Sequence, residues 1–349
     1  MRRFNITAET QRRRGIDKIF SASPRLCGKN YLDKSCILLQ SMLHPSSDQA
    51  HSIYRLFNRF NIAAFSMLAL VIVLTVYICI KYRVRKGEER TPAQFKGNNK
   101  VEALMIGVPA LLLLYFFYHT IATMKAVEPN MQGNTQPDVI ITGHQFWWEV
   151  YYPQTGVITA NEVHLPVGKR LIMEMRSADV IHSWWMPELG NKMDLIPGRN
   201  NFLTLNINQP ATYAGTCSEF CGAQHAWMRL YVVAEDSVTY ADWLAANAQP
   251  ASKMAGDSLI AKGEQIFQTA TCGECHRIQG TAAQGSEGPD LTHLFLRKRM
   301  LSGMLPLNEA NLYKWINKPQ AVKPGSYMPD FIFSKDTLDA LVHYMAQLK

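Results

Sequence analysis

The sequence predicts three folded parts in series: a two-helix transmembrane hairpin, an all-β domain and a small all-α domain. Three observations carry that expectation. Two long runs without a charged residue occur at 62–80 and 103–124. Between about 138 and 235, VIITG, FWWEVYY, GVITANEVHLP, RLIMEMRS, NFLTLNIN and MRLYVVAE are short, rich in β-branched and aromatic residues, and separated by proline and glycine. Strands at that spacing suggest a sandwich or barrel. Beyond residue 258, AKGEQIFQTATC and SKDTLDALVHYMAQLK read as helices, the second with an apolar face of Leu338, Leu341, Val342 and Met345.

Composition sets the outer limits. A chain of 349 residues holds two or three domains. Charged residues make up 18%, yet mean hydropathy is −0.11, so apolar residues must be concentrated locally. The formal charge is +8, but the first forty residues carry nine Lys or Arg against three acids, a net of +6, leaving +2 for the rest. A basic tail on a nearly neutral body argues against nucleic acid as the partner. The seven cysteines form two close pairs, Cys217 with Cys221 and Cys272 with Cys275, plus single Cys27, Cys36 and Cys79. Both pairs have metal or cofactor readings, so no disulfide framework is required.

Residues 1–42 form a basic arm with RRR at 12–14. It lacks the apolar core of about 7–15 residues that a secretory signal needs. It is expected to be disordered, either a lineage-specific arm or a start assigned too early, with Met42 as the alternative start. The polar YLDKS before Cys36 argues against a lipoprotein.

The hairpin is expected over 43–126, with helices at about 60–82 and 102–124. At about 1.5 Å per residue the first charge-free run makes roughly 28 Å of helix, matching a hydrocarbon core of about 30 Å. Pro109 lies inside the second run, where neighbouring helices can satisfy the freed carbonyl. The connection KYRVRKGEERTPAQFKGNNK has seven basic residues against two acids, the mark of a cytoplasmic loop. Both ends of the hairpin, and everything after Lys125, are therefore expected on the outer, periplasmic side of a bacterial plasma membrane.

The β domain, expected over 130–240, holds the densest chemistry. CSEFCGAQHAWM at 217–228 presents two thiols four residues apart, His225 four residues on and Met228 three further, while His182 precedes in DVIHSWWMP. This soft, polarizable donor set is of the kind copper selects. Two copper ions bridged by both thiolates, each with one histidine and one weak axial ligand, would use the whole set. A CxxxC disulfide or a four-ligand zinc site would use only part of it.

The linker is placed at 241–257, and within it AANAQPASKMAGD, from about 245 to 257, is expected to be extended and flexible. Residues 258–349 form the third domain. Its CGECH at 272–276 is a c-type haem attachment sequence, with Cys272 and Cys275 as the thioether donors and His276 as the proximal iron ligand.

Together these motifs resemble a known family. A histidine, thirty-four residues, then CSEFCGxxHxxM closely resembles the dinuclear copper centre, CuA, of subunit II of haem-copper cytochrome c oxidases. With the CxxCH domain added, residues 43–349 resemble the fused, caa3-type subunit II. The resemblance implies a cupredoxin fold for the β domain and a class I cytochrome c fold for the third domain. It makes His182, Cys217, Cys221, His225 and Met228 side-chain copper ligands. Glu219 would add its carbonyl and turn its carboxylate toward a Mg²⁺ or Mn²⁺ shared with subunit I. In the third domain GPDL at 288–291 corresponds to the proline beside the proximal histidine. Met328, 52 residues beyond His276, stands at the distal ligand position; His293 and His343 are the alternatives. Histidine–methionine ligation raises the haem potential and suits electron transfer.

Three further assignments follow from the resemblance. GHQFWWEVYY at 143–152 is similar to the segment that accepts electrons from cytochrome c, with Phe146 where the family usually has tryptophan, then Trp147 and Trp148. An aromatic strand packed in the core is the alternative. Lys192, Asp194 and Arg199 would lie near the haem propionates of subunit I, or else in a solvated loop. Glu102 matches an acid at the mouth of a proton-uptake path in a segment like ExxWTxxP; Met105 and Ile106 replace the Trp and Thr, and an interfacial charge is the alternative.

The implied function is the electron-input subunit of a respiratory oxidase. Electrons would pass from cytochrome c or a membrane donor complex through haem c and CuA to subunit I, where O₂ is reduced to water with proton translocation. The other oxidase subunits and the lipid bilayer complete the partners. A CuA-containing nitric-oxide reductase subunit and a membrane-anchored electron carrier are the alternatives. Nitrous-oxide reductase lacks a preceding hairpin, and quinol oxidases have lost the copper ligands kept here.

Overall fold

A computed structural model describes residues 41–84, 87, 97–128, 136–251 and 257–349. The arm up to residue 40, most of the basic loop and part of the linker lie outside the described residues.

The hairpin helices are α1, Asp48–Lys81, and α2, Asn99–Val127. Ser47 caps the first by accepting from Ala50 N at 3.0 Å, and Asn98 caps the second. Phe60 stacks on Phe116 at 3.9 Å, and Arg59 meets His119 at 2.8 Å. Helix α1 starts well before the expected residue 60, because charge-free length marks the membrane span rather than the helix. Its 34 residues make about 51 Å of helix, longer than a hydrocarbon core of about 30 Å. The surplus first turns are stitched to the β domain. Ser47 Oγ donates to Leu189 O at 2.6 Å, and Gln49 Oε1 accepts from Asn206 N at 3.0 Å.

The β domain is a sandwich of ten strands: β1 Val139–His144, β2 Trp147–Tyr152, β3 Val157–Ala160, β4 Glu162–Pro166, β5 Arg170–Ser177, β6 His182–Trp185, β7 Met193–Leu195, β8 Asn201–Asn206, β9 Ala211–Cys217 and β10 Arg229–Glu235. They form two five-stranded sheets, ordered β3-β2-β1-β5-β8 and β4-β10-β9-β6-β7. Inward residues such as Ile141, Trp148, Leu165, Met173, Trp184 and Val232 fill the space between. GVITANEVHLP, one run by composition, divides at Asn161, whose φ of 63° turns the chain from one sheet to the other. Strands β6, β7 and β9 were not among the expected runs: β9 is mostly small and polar residues, and β6 begins at His182 and spans only four residues.

Helix α3, Ser237–Asn247, follows β10. It takes up the first part of the expected linker and reaches into the stretch expected to be extended, up to Asn247. Alanine-rich stretches lack large apolar groups, as linkers do, but alanine is also the best helix former. Asp236 caps the helix by accepting from Val238 N and Thr239 N, each at 3.0 Å, and Trp243 stacks on His164 at 3.9 Å.

The third domain contains α4 Ser258–Thr269, α5 Cys272–Cys275, the small hairpin β11 Arg299–Met300 with β12 Leu305–Pro306, then α6 Glu309–Asn317, α7 Pro319–Val322 and α8 Lys335–Ala346. The expected face of α8 is buried, and Tyr344 on the same helix packs against Phe267 of α4.

This domain is docked on the β domain as well as tethered to it. Glu162, only 4% exposed, accepts from Lys298 N at 2.8 Å and Arg299 N at 3.0 Å. Ser302 Oγ donates to the Phe146 carbonyl at 2.7 Å, and the Arg299 guanidinium lies 5.3 Å over the Tyr231 ring.

Candidate metal centres

Strand pairing assembles the first centre. Strands β6 and β9 are antiparallel neighbours with Trp184 opposite Cys217, so His182 and Cys217 reach the same end of the sheet. The chain then loops through Cys221, makes one 3₁₀ turn over His225–Trp227 and re-enters the sheet at β10. Cys217 N bonds Met228 O at 2.9 Å and closes the loop.

The donors meet in a paired pattern. The two sulfurs lie 3.9 Å apart. Cys217 Sγ is 3.9 Å from His182 Nδ1 and donates to Glu219 O at 3.2 Å. Cys221 Sγ is 3.7 Å from His225 Nδ1 and 3.7 Å from Met228 Sδ. Each sulfur therefore has one imidazole nitrogen and one weak donor beside it. The donor atoms of His182, Cys217 and Cys221 all lie within 4.8 Å of one another, and all three residues are buried. A donor set so placed fits soft, thiolate-loving metal ions.

The surroundings tune these donors. The hydrogen bond shared by the two sulfurs is the chief cause that lowers the Cys217 thiol well below its usual range, which favours metal binding there. The same pairing, with burial, pushes Cys221 up. Burial alone would lower the pKa of His182, but hydrogen bonds with Cys217 and Asp179 outweigh it and the net shift is upward. Asp179 Oδ1 sits 2.7 Å from His182 Nε2, so it fixes the ring with Nδ1 toward the sulfurs. Asp179 also accepts from Gln145 N at 2.6 Å. Sequence reasoning missed Asp179, although an acid three residues before a candidate ligand was a usable signal. Gly143 leaves room for the ring, since a Cβ there would lie 2.8 Å from His182 Cδ2.

The second centre lies in the helical domain. Helix α5 presents Cys272 and Cys275 as free thiols. His276 Nδ1 donates to Pro289 O at 2.8 Å, which leaves Nε2 as the free ligand atom. Burial lowers the pKa of His276 and favours the neutral ring that binds a metal. Gly288 lies flat against that ring; a Cβ would come 2.5 Å from Cε1. The Met328 carbonyl is held by Gln320 Nε2 at 2.8 Å. The alternative ligands are engaged elsewhere: His293 Nε2 with Gln249 O at 2.8 Å, and His343 Nε2 with Asp257 at 3.2 Å.

The remaining expected residues are scattered. Phe146 and Trp147 are 7% exposed and Trp148 is 0% exposed, so this aromatic run is buried. Trp148 packs edge-on to Trp184 in the core, as the packing alternative expects. Lys192, Asp194 and Arg199 are exposed, with the Lys192 ammonium 4.6 Å over the Trp185 ring. Glu102 is exposed in the first turn of α2, far along the chain from the metal donors. Glu219 is exposed on the loop between Cys217 and Met228. Around that loop Phe220, Trp227, Val180 and Ile181 form an exposed apolar margin that sequence patterning did not pick out.

Comparison with known proteins matches two segments of the chain to two families. The family described as "Cytochrome C oxidase subunit II, periplasmic domain" matches residues 154–235, and the cytochrome c family matches 260–349. The chain is similar to cytochrome c oxidase subunit 2 of Alkalihalophilus pseudofirmus, 32% identical over 315 residues, covering 88% of this chain and 90% of that one. It is 27% identical to cytochrome c oxidase subunit 2 of Bacillus subtilis, covering 93% of each. Among solved structures, the periplasmic domain of cytochrome oxidase subunit II of Bradyrhizobium japonicum is 28% identical, with a TM-score of 0.32, covering 34% of this chain and 96% of that one.

Proposed function

Because this chain belongs to the cytochrome c oxidase subunit II family and carries a cytochrome c domain at its C-terminal end, we propose that it receives electrons from an external donor at that domain. It would hand them on through the β domain to subunit I of the oxidase, where O₂ is reduced with proton translocation. The first family match implies copper and the second implies haem c. The observation that carries the reading is the sulfur pair of Cys217 and Cys221 at 3.9 Å, with a histidine nitrogen beside each.

Copper at the first centre and a covalent haem at the second would supply one-electron chemistry. The chain's own residues do the rest. His182, Cys217, Cys221, His225 and Met228 would hold the copper ions, with the Glu219 carbonyl as a further weak donor. Cys272 and Cys275 would carry the haem, with His276 as proximal and Met328 as distal ligand. The exposed Phe220, Trp227, Val180 and Ile181 supply an apolar face for subunit I. Glu219, exposed on the same loop, would offer its carboxylate to a Mg²⁺ or Mn²⁺ at that border. Glu102 keeps its reading as a proton-path residue at the inner end of α2. The chain is a membrane-anchored protein by its two apolar helices and family. We place the membrane as the bacterial plasma membrane, with both cofactor domains on its outer side.

Metal analysis of the purified chain is expected to give two coppers, and the pyridine haemochrome spectrum one haem c. A single zinc, or no c-type haem, would sink the assignment. Asp179→Asn is expected to weaken copper binding by about 10–100-fold without changing the haem, because orienting partners of metal-bound histidines carry effects of that size. Competition with a copper chelator checks it; an unchanged affinity would remove Asp179 from the site.

A further inference from the structure

Gln145 joins the two domains through both ends of one side chain. Its Nε2 donates to the Cys221 carbonyl, and its Oε1 accepts from the Tyr327 hydroxyl at 2.5 Å. Tyr327 immediately precedes Met328. Covalent bonds and two hydrogen bonds therefore run without a break from Met328 to Cys221.

The surroundings hold this connection in place. Gln224 Nε2 donates to Pro324 O, three residues before Tyr327. Gln320 spans the loop from inside, bonding Ser326 O at 2.7 Å and Met328 O at 2.8 Å while its Oε1 accepts from Gly325 N at 2.9 Å. Lys323 is 4% exposed, and its ammonium donates to the Phe146 carbonyl at 3.1 Å. Taking an ammonium out of water is unfavourable unless it is held by hydrogen bonds, and this one is buried where the two domains meet. Phe146 follows Gln145 directly, and its ring centroid lies 6.3 Å from that of Tyr327.

We propose that Gln145 and Tyr327 form the bridge that couples the Met328 side of the cytochrome domain to the Cys221 side of the β domain, with Lys323 as the positioning residue that holds it closed. This rests on the reading that both domains carry one-electron centres. In each transfer the haem iron loses one electron, passing from ferrous to ferric, and the copper pair gains it. No bond is made or broken, and Tyr327 keeps its proton. The bridge supplies contact and is not itself oxidised.

The test uses the full chain with both cofactors loaded. Hydrogen–deuterium exchange is read over 143–148 and 320–328, and the rate of electron exchange between the centres is read after flash reduction of the haem. Tyr327→Phe keeps the ring but removes the hydroxyl. It is expected to slow electron exchange severalfold while both absorption spectra and deuterium uptake stay at wild-type values. Gln145→Leu, which removes both hydrogen bonds, is expected to slow it further. Lys323→Met is expected to raise deuterium uptake over 320–328 and to slow exchange as well. A Tyr327→Phe rate equal to wild type overturns the bridge, and unchanged uptake in Lys323→Met overturns the latch. Absence of electron exchange in the wild-type chain, with both cofactors present, overturns the functional reading and the bridge together.

Discussion

Replacing Cys221 with serine is expected to leave the β domain without copper while the cytochrome domain keeps its haem. Cys221 Sγ is the hub of the donor set, 3.9 Å from the other sulfur, 3.7 Å from His225 Nδ1 and 3.7 Å from Met228 Sδ. A serine hydroxyl is a hard donor that stays protonated at neutral pH, so it cannot share an anionic ligand between two soft ions. The remaining His182, Cys217, His225 and Met228 would then offer only one thiolate to the metal. Metal analysis beside a haemochrome spectrum reads both domains in one sample. Retention of two coppers would show that the ligands have been ranked wrongly. The thermal midpoint of the variant should match that of wild-type protein stripped by a chelator, since a ligand that binds only the folded state stabilises it by mass action.

Glu162→Ala is expected to loosen the cytochrome domain from the β domain. The carboxylate accepts from Lys298 N and Arg299 N in a site with 4% exposure. Each buried donor left without a partner costs about 1–3 kcal/mol. Relief of the desolvated charge offsets part of this, so a net loss of about 2 kcal/mol is expected. Deuterium uptake over 298–302 should rise, and denaturant titration should give the free energy.

The pH dependence supplies a second signature. Burial is the largest cause raising the pKa of Glu162 above its ordinary 4.5. Between that value and the raised one, the folded state holds more protons than the unfolded state. Stability then falls as pH rises through the window, and is greatest below it. The alanine variant should lack this part of the slope. Equal slopes and equal uptake in both proteins would remove Glu162 from the contact.

The copper loop was legible because four of its side-chain donors lie within twelve consecutive residues, where spacing alone restricts which atoms can meet. CGECH was legible for the same reason. The membrane helices were readable by length, but α1 begins at Asp48 because its first turns are held by Leu189 and Asn206, residues of the β domain. Composition mistook the end of α3 for linker, since alanine serves both roles until a cap and a stacked tryptophan decide. The aromatic run at 146–148 offered two readings. Trp148 is packed against Trp184 in the core, while Phe146 lies beside Tyr327 of the cytochrome domain.

By itself the sequence determined the order of the parts, the class of each domain and the identity of the candidate ligands, all of which depend on local pattern and residue chemistry. Only the tertiary structure decided that Asp179 orients His182, that Glu162 receives two backbone amides and that Tyr327 reaches Gln145. The last two pairings join residues 136 and 182 positions apart. Neither periodicity nor spacing links such positions. Two folded surfaces must first meet before a hydrogen bond between them can form.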